Sequence, residues 1–149
     1  LQMVRQREFC ATADVTVFPA NVQKKGRVGL AAFYSNDYHY EIYYTEKEGN
    51  GQICLSRRIH DLEAVTAAHE VSEAAEKAEI HMRVIADKEN YRFYYRLGAG
   101  APYVYLGCGD TAGLCTEITR TMTFTGVYFG MFAEQATGVF REFKVTYKE

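Results

Sequence analysis

Short runs in which apolar and polar residues alternate recur along nearly the whole of this 149-residue chain. "CATADVTVFP" (10–19) sets Ala11, Ala13, Val15 and Val17 on one side and Thr12, Asp14 and Thr16 on the other. "YHYEIYYT" (38–45) opposes Tyr38, Tyr40, Ile42 and Tyr44 to His39, Glu41 and Tyr43. "YRFYYRL" (91–97) opposes Tyr91, Phe93, Tyr95 and Leu97 to Arg92, Tyr94 and Arg96. A period of two belongs to a strand with one face buried. Turn sequences separate the runs: "KKGRVG", "SND", "EKEGNG", "DKEN", "GAGAP" and "EQATG". "EKEGNG" reads as a hairpin loop of four residues or longer. The spacing predicts roughly nine or ten short strands in an antiparallel sandwich or barrel.

One segment disagrees. Residues 61–79, "DLEAVTAAHEVSEAAEKAE", are rich in Ala and Glu, and Leu62, Val65, Ala68 and Val71 recur at threes. Local propensity there favours a helix. Elsewhere twelve Tyr, nine Phe and twelve Gly suit pleated surfaces joined by tight turns. One domain over 1–149 is expected, since a chain of this length buries a full core.

Composition narrows the function. Net charge is −2 with acids and bases interspersed, so neither nucleic acid nor a membrane is an expected partner. No apolar run approaches the ~18–20 residues of a membrane span. Cys10, Cys54, Cys108 and Cys115 lack metal-ligand spacing. They read as free thiols in a reducing compartment, which makes a cytoplasmic location the expectation. His39, His60, His69 and His81 form no His-x-x-x-His pair, and no Gly-x-Ser-x-Gly elbow is present. The acids sit in turns or beside Lys and Arg, so no carboxylate pair stands out for glycoside hydrolysis. What remains is aromatic surface, on which sugar C–H faces can stack. In residues 38–45 the Ile42 side is expected to be core. The His39, Glu41 and Tyr43 side is expected to meet solvent or a partner.

Five motifs in order carry a resemblance: "RQREFCATADVTVFP" (5–19), "VGLAAFYSNDYHY" (28–40), "ENYRFYYRLG" (89–98), "FTGVYFGM" (124–131) and "VFREFKVTY" (139–147). Together the chain resembles the C-terminal concanavalin A-like β-sandwich of family 43 glycoside hydrolases, notably β-xylosidases and their arabinofuranosidase relatives. The resemblance implies an all-β, jelly-roll sandwich of two antiparallel sheets. It implies a non-catalytic module, a fragment of a larger hydrolase. The catalytic acids of such enzymes belong to a five-bladed propeller, on which the sandwich packs and to whose pocket rim it lends a loop. Some such modules are described as xylan-binding. The expected partners are therefore that propeller and xylan or arabinoxylan oligosaccharides. No catalytic residue and no cofactor are expected, although such sandwiches can hold a structural calcium.

Arg5 and Gln6 are carried over from the family's opening Arg-Arg-Gln, whose first Arg is here Val4, with Glu8 near the family's His. Asn36, Asp37 and Tyr38 are candidate contacts by turn position, and Tyr43 by its outward alternation. Family modules start earlier, so a leading strand is expected to be missing. Family strands also run through the Ala/Glu-rich segment, so the resemblance overrides propensity and implies a strand near 65–71, then a loop or short helix. Two other readings stand beside this one: a stand-alone carbohydrate-binding or lectin-like protein, and a hydrolase with its own site on the sandwich face.

Overall fold

The structure is a computed structural model that describes residues 2–7, 10–35, 37–71, 79–110 and 127–147. Among these lie eleven strands: β1 (Gln2–Arg5), β2 (Ala11–Ala20), β3 (Arg27–Ser35), β4 (Tyr38–Lys47), β5 (Asn50–Ile59), β6 (Leu62–Val71), β7 (Ile80–Ala86), β8 (Asn90–Leu97), β9 (Val104–Asp110), β10 (Tyr128–Glu134) and β11 (Thr137–Tyr147). They form two sheets, in the orders β1-β10-β3-β4-β5-β6 and β11-β2-β7-β8-β9. Every pairing is antiparallel.

The core forms where the alternation put it. Ala13, Val15 and Val17 of β2, Leu30 of β3, Tyr40, Ile42 and Tyr44 of β4, Met82 and Val84 of β7 and Phe93 of β8 are buried between the sheets. Tyr40 meets Tyr91 and Phe93 at centroid distances of 6.2 Å, and Tyr91 meets Phe129 at 6.2 Å. Tilted and edge-on rings at this spacing gain roughly 0.5–1.5 kcal/mol per pair beyond the area they bury.

Two local expectations change. "EKEGNG" closes with only two loop residues, since Lys47 pairs with Asn50. Glu48 and Gly49 both have positive φ, 55° and 84°, the mirror-image turn whose twist matches that of the strands. The first strand, β1, is an edge of its sheet and pairs with β10 from Gln2↔Met131 to Arg5↔Tyr128. The first part of the Ala/Glu-rich segment, Leu62–Val71, is a strand, as the resemblance implied, and it begins earlier than residue 65. β6 is the sheet edge, and its first five residues are exposed, so burial imposes no clean alternation. Residues 72–78, where a loop or short helix was expected, lie outside the described residues.

Candidate functional site

Register across the six-stranded sheet aligns one residue from each strand: Arg5, Tyr128, Phe33, His39, Arg58 and Glu63. Their neighbours along the strands, such as Ala32, Tyr40 and Phe129, point into the core. The row therefore lies on the outer face. Phe33 and His39 stack, with centroids 5.5 Å apart and 24° between planes. His39 Nδ1 sits 3.2 Å from the Ser35 carbonyl oxygen, which fixes the ring and turns Nε2 toward Glu41 Oε2 at 3.9 Å.

Beside this row an open pocket of about 490 Å³ is lined by Arg27, His39, Glu41, Arg58 and Glu63, with Lys25 and Glu134 completing it. Arg27 links two strands: Nη1 donates to Glu41 Oε1 at 3.0 Å and Nη2 to Glu63 Oε1 at 2.9 Å. Arg58 Nη1 lies 3.6 Å from Glu63 Oε2. A glycosidase holds two carboxyl groups across a gap that the sugar fills. Here Glu41 and Glu63 face a common guanidinium instead.

Burial holds the Glu41 carboxyl above its ordinary value of 4.5, against the pull of His39 and Arg27, while Glu134 pushes the same way as burial. A raised folded-state value makes the folded protein bind that proton more tightly than the unfolded chain. This contribution is complete below the unfolded value and is lost as pH rises through the folded one. Glu41→Gln fixes the neutral form. The melting temperature of this variant should gain on that of the wild type as pH is raised from the acid side of 4.5 to neutrality. Thermal melts followed by circular dichroism at several pH values check this, and parallel curves would contradict it.

Beneath Arg27 lies Tyr43, its ring 4.6 Å from the guanidinium carbon. Tyr43 packs with Ala31, Cys54 and Phe132 in a small outer cluster and is only 3% exposed. It points outward as the alternation required, yet it is not an accessible contact residue. Burial pushes its hydroxyl up to about 12 and raises the Cys54 thiol as well.

The other candidates separate. Arg5 is exposed at the end of the aromatic row, and its carbonyl accepts the Tyr147 hydroxyl at 3.3 Å. Gln6 is 1% exposed, which corrects its reading as a surface contact. Its Oε1 accepts the Tyr91 hydroxyl at 2.6 Å, and its N–H donates to the Val127 carbonyl at 2.9 Å. Asp37 is exposed in the β3–β4 turn, where its carbonyl accepts the His60 N–H at 2.7 Å. Tyr38 is half-buried edge-on to Tyr34, with centroids 6.4 Å apart. Asn36 lies outside the described residues. The five that are described do not converge. Tyr128 and Phe33 were missed because no single run shows which residues neighbouring strands bring side by side. Among the described residues, no group of three His, Cys, Asp or Glu side chains is placed to hold a metal ion.

A family model described as the β-xylosidase C-terminal concanavalin A-like domain matches residues 1–147. No curated protein matches the sequence. Among solved structures, GH43 BlXynB from Bacillus licheniformis is 17% identical with a TM-score of 0.84, over 98% of this chain and 29% of the other. Xylan β-1,4-xylosidase from Bacillus halodurans C-125 is 16% identical with a TM-score of 0.79, over 99% and 29%. GH43B of a Bacteroides ovatus xyloglucan locus is 21% identical with a TM-score of 0.78, over 96% and 28%. At such identities the likeness is one of fold. The chain spans less than a third of the length of each.

Proposed function

The chain belongs to the β-xylosidase C-terminal concanavalin A-like domain family, and from that premise we propose how it acts. It serves as the accessory module of a family-43-like glycoside hydrolase, of β-xylosidase or arabinofuranosidase type. The outer face of its six-stranded sheet docks toward the catalytic propeller and contacts xylan-type sugar at that border. The observation that carries this reading is the row Arg5, Tyr128, Phe33, His39 and Arg58, flat rings flanked by guanidinium donors beside a polar pocket. Rings of this kind take the C–H face of a sugar, and the flanking donors take its hydroxyls. The unbridged Cys10, Cys54 and Cys108 fit a reducing compartment and support a cytoplasmic enzyme.

Two measurements test the proposal. The coding sequence upstream of Leu1 should encode a propeller; a start codon directly before it would favour a stand-alone lectin-like protein. Calorimetric titration with neutral xylo-oligosaccharides should give saturable heat at millimolar sugar, and His39→Ala should weaken binding about fivefold, the loss of roughly 1 kcal/mol of stacking. No heat at millimolar sugar would remove the sugar contact.

A further inference from the structure

The opposite face of the sandwich has a different character. Register on the five-stranded sheet places Arg141, Thr16, His81 and Arg96 in one row, and Lys144, Asp14, Arg83, Tyr94 and Tyr105 in the next. A third row holds Thr146, Thr12, Ile85, Arg92 and Cys108. These rows point away from the core, since Val15, Met82, Val84, Phe93 and Tyr95 point into it. They contain five cations (Arg83, Arg92, Arg96, Arg141 and Lys144) and one carboxylate, Asp14, on a chain whose net charge is −2. Further carboxylates border the rows: Glu79 against His81, Asp87 against Arg92, and Glu142 beside Lys144.

Two of these cations are paired with carboxylates. Asp14 takes Arg83 through both nitrogens of a fork, Nε to Oδ1 and Nη2 to Oδ2 at 3.3 Å. Asp87 takes Arg92 at 3.3 Å, and Arg141 lies over the Phe18 ring at 5.2 Å. Arg96 differs. Among the described residues no carboxylate is within ion-pair distance of it. Its guanidinium carbon lies 4.5 Å from the Tyr103 ring centre, over which Arg83 also sits at 4.2 Å. Its Nη2 reaches His81 Nδ1 at 3.5 Å, and its Nε is buried with no acceptor. His81 Nε2 is 2.7 Å from Glu79 Oε2, so in the neutral ring Nε2 donates and Nδ1 is a shared, weak acceptor for Thr16 and Arg96. A guanidinium held flat on an aromatic ring, its position fixed and its charge unmatched, is preorganised for a carboxylate.

The surroundings say what carries that carboxylate. A shallow cleft of about 70 Å³, room for one small group, is lined by the cations Arg83, Arg96 and Lys144, by His81 and Tyr103, and by two carboxylates, Asp14, which Arg83 engages, and Glu142. Tyr94 and Tyr105 lie beside it with centroids 5.5 Å apart, and Tyr105 is half exposed. We propose that this face is a second carbohydrate site, which takes a uronic acid residue of an acidic polysaccharide. Arg96 and Lys144 bind the carboxylate, while Tyr103, Tyr94 and Tyr105 lie along the sugar. The site is separate from the neutral-sugar and docking face on the other sheet, and each can fail without the other. A nucleic acid would need a row of phosphate contacts, whereas here Asp14 and Asp87 already engage Arg83 and Arg92, and Arg96 lies beside rings suited to a sugar face.

Calorimetric titration with a glucuronic acid-bearing xylo-oligosaccharide and with the same compound after reduction of its carboxyl group tests this. The acidic form should bind at least about tenfold tighter, one charge-assisted hydrogen-bonded pair. Arg96→Met should remove that preference, and Lys144→Ala, an exposed substitution that spares folding, should lessen it and weaken its salt dependence. Both variants should bind neutral xylo-oligosaccharide as the wild type does. Equal affinity for the acidic and reduced compounds would overturn the site. So would an unchanged preference in Arg96→Met or Lys144→Ala, or equally tight, Arg96-dependent binding of single-stranded DNA of matched charge.

Discussion

Gly29→Ala is expected to cost about 3–5 kcal/mol, above the typical 1–3 kcal/mol of an overpacked site. Gly29 lies opposite Tyr43 where β3 meets β4, inside the six-stranded sheet. A Cβ there would fall within contact distance of the Ile42 carbonyl oxygen, and would sit 2.6 Å from Tyr43 Cα and 2.9 Å from the Ile42 carbonyl carbon. All three are backbone atoms, so no side-chain rotation relieves the overlap. The strands would have to part, and parting them disturbs Tyr43 and Phe132, which pack against each other on that face. Chain stabilities of this size class run to about 5–15 kcal/mol, so the variant should melt at much lower temperature or fail to accumulate. Gly100→Ala is the control: nothing lies within 4 Å of a Cβ at that site, and the change should stay within about 0.5 kcal/mol. Urea denaturation of the two variants checks both. A Gly29→Ala loss no greater than that of Gly100→Ala would mean that the close approach of β3 to β4 is not what requires glycine.

How far the sequence reached can be seen along "FYSNDYHYEIYY". Alternation alone placed Tyr38, Tyr40, Ile42 and Tyr44 in the core and turned Tyr43 outward; Tyr40, Ile42, Tyr44 and Tyr43 lie on those sides, while Tyr38, at the strand's end, is only half-buried. It did not reveal that Tyr43 is covered. The cover is Arg27, on the neighbouring strand, and only the β3–β4 register brings it there. Gln6 shows the same limit across a longer span. Its partner Tyr91 is 85 residues away, so nothing local marks it as a core residue. β6 shows the reverse limit: an edge strand with little burial keeps no alternation, and Ala and Glu there speak for a helix that tertiary pairing overrides. The resemblance supplied what periodicity left open, a two-sheet sandwich rather than a barrel. The charged face is half legible. Arg92, Tyr94 and Arg96 alternate outward in plain view, but Tyr103 follows the turn "GAGAP", and no pattern announces that its ring lies under two guanidinium groups.

Gly109→Ala should cost about 2–3 kcal/mol, and the damage should run through one ring. A Cβ at Gly109 on β9 would lie 2.5 Å from Tyr40 Cζ and 2.7 Å from each Cε atom. Tyr40 cannot swing aside cheaply. Its hydroxyl donates to the Asp110 carbonyl oxygen at 2.7 Å, and its ring is held against Tyr91 and Phe93. Tyr40→Leu removes the three ring atoms that the new methyl would strike. Alone, it should cost about 2–4 kcal/mol in lost packing and one hydrogen bond. Combined with Gly109→Ala, it should cost less than the sum, because the methyl occupies space the ring has left. A favourable coupling of about 1–2 kcal/mol is expected from the double-mutant cycle, measured by urea denaturation. Tyr40→Phe keeps the three clashing atoms and should show no such relief when paired with Gly109→Ala. Strict additivity in the Leu cycle would mean that β9 yields before the ring does. Glycine at 109 would then serve the β8–β9 pairing rather than the tyrosine that crosses from the other sheet to lie on it.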